Sequence, residues 1–137
     1  MNGKAFYDTN ILVYLYADKE PDKQAISYEI INKAYECIIS TQILNEINNV
    51  LIKKWRISSE VVKTIQADVR RISTVLHIDE DTIDKAIDLN AFYGFAYYDC
   101  LMLASALEAG CDVIFTEDMN NGQEIEGKLK IINPFKE

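Results

Sequence analysis

The sequence predicts an α/β fold in which a mostly parallel sheet is covered on both faces by helices. Short apolar, β-branched runs alternate with longer segments whose apolar residues recur every three or four positions. Caps and breakers separate them: Pro21 ahead of one segment, "SSE" at 58–60 opening another, Gly110 just past a third. The bulk numbers, 49% apolar and 26% charged over 137 residues, are those of an ordinary globular chain, with room for one domain spanning 1–137. Repeated strand–helix–strand units at this spacing imply right-handed crossovers and hence a parallel sheet.

In order, "KAFYDT" reads as a short buried strand and "NILVYLYAD" as a helix with Asn10 as its N-cap. In "EPDKQAISYEIINKAYE", Pro21 suits a first helical turn, and Ile26, Ile30, Ile31 and Ala34 recur at helical spacing. "CIIS" at 37–40 is a second strand, followed by a helix carrying Ile43, Leu44, Ile47, Val50, Leu51 and Trp55. Residues 58–74 form a helix with Val61, Val62, Ile65, Val69 and Ile72. The short run "TVLHI" and a helix from "DEDTIDKAIDL" come next. "YYDCLMLASALEAG" is a helix, "CDVIFT" a β-branched strand, and "LKIIN" a last strand before Pro134.

Several function classes fall away. No stretch approaches the ~18 consecutive apolar residues of a membrane span, and the N-terminus has no cleavable signal layout, so a cytoplasmic protein is expected. Cys37, Cys100 and Cys111 are an odd set without CxxC spacing and read as reduced core residues. The single histidine, His77, cannot build a zinc site or a Ser-His-Asp triad and reads as structural or half-exposed. No GxxxxGK[ST] is present. The net charge of −8 argues against a broad basic nucleic-acid surface, and "KKWR" at 53–56 and Arg70-Arg71 read as solvated helix faces.

Acid–base chemistry must then fall to carboxylates or to water activated by a metal. Four acids lie near the carboxyl ends of strands: Asp8 after the first, Glu46 early in the helix after "CIIS", Asp99 opening its helix, and Asp118 after "CDVIFT". Each alone is an ordinary cap, first-turn acid or turn residue. Four at one edge are different, because crowded carboxylates raise one another's pKa values and a divalent cation relieves that cost. Oxygen ligands without Cys or His select magnesium or manganese over zinc. Such a site suits phosphodiester hydrolysis: Asp8, Asp99 and Asp118 would hold metal, and Glu46 would bind it directly or through water and orient the attacking water. Thr9, Asn10 and Thr116 would steady the carboxylates by hydrogen bonds. Phe92, Tyr93, Phe95, Tyr97 and Tyr98 read as core or dimer surface rather than as a base-stacking platform.

The segments "FYDTNILVY", "NE" at 45–46, "YYDCLMLASALEAGCDVIFTED" and "IINPF" together resemble the PIN-domain ribonucleases, particularly the VapC-type toxins of toxin–antitoxin pairs. The resemblance covers nearly the whole chain. It implies a three-layer α/β/α sandwich, with the family's acids at Asp8, Glu46, Asp99 and Asp118, and with Glu117 as an alternative for the fourth. It further implies magnesium- or manganese-dependent cleavage of RNA, a homodimer, and a cognate antitoxin whose tail covers the acidic groove. The rival reading is a non-catalytic PIN-like or receiver-like interaction domain. A receiver would want paired acids near the first strand and a lysine after the fifth, and the chain has neither.

Overall fold

The computed structural model describes residues 3–33 and 35–136. Six strands, β1 (Lys4–Tyr7), β2 (Glu36–Ser40), β3 (Thr74–Leu76), β4 (Val113–Phe115), β5 (Glu124–Ile125) and β6 (Leu129–Ile132), form one sheet in the order β3-β2-β1-β4-β6-β5. Every pairing is parallel except that of β5 with β6. Six α-helices accompany it: α1 (Thr9–Val13), α2 (Pro21–Ile31), α3 (Thr41–Asn49), α4 (Ser59–Ile72), α5 (Glu80–Tyr93) and α6 (Tyr97–Glu108). This is the α/β sandwich that the alternation predicts.

The central strands are buried without alternation: Ala5, Phe6 and Tyr7 in β1, Cys37 to Ser40 in β2 and all of β4. Continuous burial is what a parallel sheet with helices on both faces requires. The Tyr7 hydroxyl enters this core because it donates to the Ile30 carbonyl in α2, 3.0 Å away. Helix α6 is buried all round from Cys100 to Ala106 and lies against α5 and β2, so it has no polar face. Cys37, Cys100 and Cys111 are buried free thiols, as expected, whereas His77 is exposed.

The helix signals hold with local differences. Pro21 is the first residue of α2, where Ser27 and Ile30 are the buried positions; Ala34 lies outside the described residues. In α3, Ile43, Ile47 and the following Leu51 are buried, while Leu44, Val50 and Trp55 are half-buried. The α3 register widens into a π-helical turn over Val50–Lys54, which rotates the residues that follow. In α4, capped by Ser58, the stripe narrows to Val62, Ile65 and Val69, and Val61 and Ile72 are exposed. Asp79 and Thr82 make a reciprocal capping box on α5, which ends at Gly94 with φ 78°. Phe92 and Tyr98 are exposed while Tyr93, Phe95 and Tyr97 are half-buried, so the aromatic segment divides between surface and core edge.

Two expectations are corrected. The first helix starts earlier than predicted, and its N-cap is Asp8, whose Oδ1 accepts from the Thr9 N–H at 2.7 Å; Asn10 lies inside α1. Asp8 continues the extended backbone of β1 and donates its N–H to the Phe115 carbonyl, so the chain turns helical immediately after it. Strand β5, two residues long, has no counterpart among the predicted elements. It pairs with β6 through a turn in which Glu126 and Gly127 have φ of 55° and 65°, a geometry usually signalled by Asn-Gly or Asp-Gly. Among the described residues, no helix is long and apolar enough to cross a membrane.

Candidate active site

Strands β1 and β4 are adjacent at the centre of the sheet, yet the chain reaches them from opposite sides: β1 leads to β2 and β3, and β4 leads to β6. The carboxyl ends of two such strands border the crevice where open α/β sheets bind ligands. Asp8 directly follows β1, and Thr116, Glu117 and Asp118 follow β4. Glu46 is in the second turn of α3 and Asp99 in the first turn of α6.

Side chains from these elements meet in one open cavity of about 450 Å³. Asp8, Glu46, Asp99 and Asp118 all line it, and no lysine or arginine does. Glu117 does not reach it. Its carboxylate accepts from the Tyr14 hydroxyl, from Asn10 Nδ2 at 3.2 Å and from Lys23 Nζ at 2.9 Å, with Lys23 over the rings of Tyr14 and Phe135. The structure therefore sends Glu117 into an ion pair and its neighbour Asp118 into the cavity.

The threonines predicted to steady the acids do contact them. Thr116 Oγ1 donates to Asp8 Oδ2 at 2.7 Å and accepts from the Asp118 N–H at 3.2 Å, tying two of the acids to one hydroxyl. Thr9 Oγ1 donates to Glu46 Oε1 at 2.6 Å, and Gln42 Nε2 donates to Glu46 Oε2 at 3.3 Å. Asn10 lines the cavity, but its amide donates to Glu117 rather than to one of the four acids. Sequence reasoning missed Gln42, Asn45 and Asn49. The latter two also line the cavity; they are four residues apart on α3, and Asn49 is three after Glu46, so successive turns of one helix face present them.

The electrostatics are those of uncompensated anions. Burial is the main cause raising the Asp8 pKa from 3.8 to about 6; the hydrogen bonds from Thr116 and Thr9 oppose the rise, and the charges of Glu46 and Asp118 add to it. The Asp99 pKa is also raised, chiefly by burial and then by Asp118 and Glu46. At Glu117 burial works upward too, but the hydrogen bonds from Tyr14 and Lys23 and the ammonium charge outweigh it, and the pKa falls. The cavity thus contains carboxylates whose charged forms are disfavoured, whereas the neighbouring ion pair keeps its carboxylate charged.

An all-oxygen set with unrelieved negative charge fits a hard divalent cation. Among the described residues, no group of three or more Asp, Glu, His or Cys side chains is arranged to hold a metal ion, so an ion here would take one or two carboxylates and complete its shell with water and substrate oxygens.

Comparison with known proteins gives the same architecture. A toxin–antitoxin complex from Klebsiella pneumoniae superposes with a TM-score of 0.70 at 21% identity, over 97% of this chain and 99% of that one. VapC20 of Mycobacterium tuberculosis, a toxin that cleaves the sarcin–ricin loop, gives 0.65 at 17% identity over 84% and 92%. VapBC2 of Rickettsia felis, solved on a DNA fragment from its promoter, gives 0.66 at 18% over 94% and 98%. No curated protein matches the sequence. The family model of the PIN domain matches residues 5–121, a span that includes Asp8, Glu46, Asp99 and Asp118. A chain with this sheet order, these acids at its carboxyl edge and that match belongs to the PIN domain family.

Proposed function

We infer that the chain is a magnesium- or manganese-dependent endoribonuclease that hydrolyses RNA phosphodiester bonds, and that it is the toxin of a type II toxin–antitoxin pair. The observation that carries this reading is the gathering of Asp8, Glu46, Asp99 and Asp118 around one cavity whose lining has no cationic side chain. Asp8, Asp99 and Asp118 would hold the ion, with Glu46 beside them. When bound, the ion supplies charge neutralisation at the scissile phosphate and acidifies water.

The protein's own groups do the rest. Thr116 and the Thr9 N–H fix both oxygens of Asp8, so that carboxylate is pre-set rather than free to rotate. Thr9 and Gln42 hold the two oxygens of Glu46 in the same way, leaving it oriented to accept a proton from the attacking water. The water's oxygen bonds to phosphorus as the bond to the leaving oxygen breaks. The resemblance to VapC-type toxins further implies a homodimer, a cytoplasmic location and a cognate antitoxin partner, and the toxin–antitoxin complexes among the structural neighbours support the last of these.

The test is cleavage of single-stranded RNA by the purified chain. Wild type should cleave in magnesium or manganese and stop in a chelator, and Asp99→Asn should be inactive with an unchanged circular dichroism spectrum. Induced expression in a bacterial host should arrest growth for wild type alone. RNA cleavage by Asp99→Asn at the wild-type rate would discard the mechanism.

A further inference from the structure

A second cavity, about 470 Å³, opens beside the acidic one and shares Asn45 and Glu46 with it. Ile78, Leu101 and Tyr98 give it apolar surface, and Gln42 and Asn45 contribute amides. It has no lysine or arginine, and Glu46 is at its border, so an anionic phosphate is disfavoured and a neutral planar group is favoured. Tyr98 is 66% exposed, an unusual state for a large ring, and the Tyr97 ring braces it edge-on at 5.4 Å.

Gln42 adds a specific polar feature. Its Nε2 donates to Glu46 Oε2 at 3.3 Å and to the Tyr98 carbonyl at 3.0 Å. Both neighbours are pure acceptors, so the nitrogen must face them. Its Oε1 is closed to solvent and has no hydrogen-bond partner among the described residues, so Gln42 acts on the slot by holding the Tyr98 carbonyl and Glu46 rather than by meeting a ligand. A third cavity shares Asn10 and Val50 with the acidic one and is lined by Lys19 and Lys54 together with Asp18 and Glu20. The neutral, aromatic-edged slot is the one that adjoins the carboxylates through Asn45 and Glu46.

We propose that the slot formed by Gln42, Asn45 and Tyr98 receives the base of a nucleotide adjacent to the cleaved phosphodiester, with the base stacked on the exposed Tyr98 ring. The proposal rests on the ribonuclease reading. It makes Tyr98 a substrate-binding residue and gives the enzyme a means of choosing among RNA sites that the acids alone cannot provide.

The test is cleavage kinetics of the full chain in magnesium on a short single-stranded RNA of mixed sequence. Tyr98→Ala should lower kcat/KM about tenfold, mainly through KM, while Tyr98→Phe, which keeps the ring, should match wild type. Replacing the base next to the cleaved bond by an abasic residue should cost wild type about tenfold and Tyr98→Ala little more, because the two changes remove one contact. Equal cleavage by wild type and Tyr98→Ala, or an abasic penalty that is the same in both, would overturn the slot while leaving the nuclease reading standing. A change in molar mass on Tyr98→Ala, read by light scattering, would give the ring to a contact between copies and would also overturn it. Wild type that cleaves no RNA sinks both.

Discussion

Asp8→Asn should make the metal-free protein more stable even though it removes a residue at the centre of the site. In the folded chain the Asp8 pKa rises from 3.8 to about 6. That difference corresponds to about 3 kcal/mol by which folding disfavours the charged carboxylate above pH 6. An amide carries no such penalty but can accept only one of the two hydrogen bonds that Thr9 and Thr116 donate, which costs about 1 kcal/mol. The net gain is about 1–2 kcal/mol, or a Tm about 3–8 °C above wild type for a domain of this size. The sign gives a second handle. A raised carboxylate pKa destabilises fully above the folded value and fades as pH falls toward the unfolded one, so at pH 5 about half the wild-type penalty is gone and the two proteins converge. Thermal melts followed by circular dichroism in chelator at pH 7.5 and pH 5 measure both quantities. A variant that melts at or below wild type at pH 7.5, or a difference that does not move with pH, refutes the account of Asp8 as a buried, uncompensated charge.

The same carboxylates predict the response to metal. Magnesium or manganese at a hundred times its Kd should stabilise wild type by about 2.7 kcal/mol and Asp8→Asn by much less, and a flat melting temperature up to millimolar metal in wild type would favour a non-catalytic interaction domain. Lys23→Met removes the ammonium paired with Glu117 at 2.9 Å and should cost about 1 kcal/mol, since the pair is partly exposed; an unchanged urea midpoint would refute the clamp. Because the Glu117 pKa is lowered on folding, its stabilisation is present above its unfolded value and is lost as pH falls through the folded one. The Lys23→Met deficit should therefore shrink in acid, and a deficit that grows there would reverse the assignment.

Much of the fold is local physics and was legible. The 3.6-residue apolar period of α4, the proline opening α2, the "SSE" that opens α4, the "DEDT" start of α5 and the β-branched runs of β2 and β4 are each decided by neighbours within a few positions. The four acids were legible as a set because residue type and place relative to strand ends can be read along the chain. Asn10 was misread as a cap for the same local reason: Asn and Asp are near-equal N-caps, and only the β1–β4 pairing, which holds the Asp8 N–H on the Phe115 carbonyl, decides between them. Strand β5 escaped because two residues are too short to carry a period and Glu126 is not a turn signal.

By itself, the sequence determined the alternation of elements, the carboxylates near strand ends and the kinship to PIN nucleases, since all three are written in residue type and spacing. Only the tertiary structure decided which strands are neighbours, and hence that Asp8 and Asp118 share the Thr116 hydroxyl across more than a hundred residues of chain. It also decided that Glu117 pairs with Lys23 while Asp118 lines the cavity, and that Gln42 and Tyr98 flank the acids. Adjacent residues on a loop carry no period that says which way each side chain turns; the ammonium, hydroxyl and amide that meet Glu117 come from distant segments, and their pairing exists only once the sheet has brought them together.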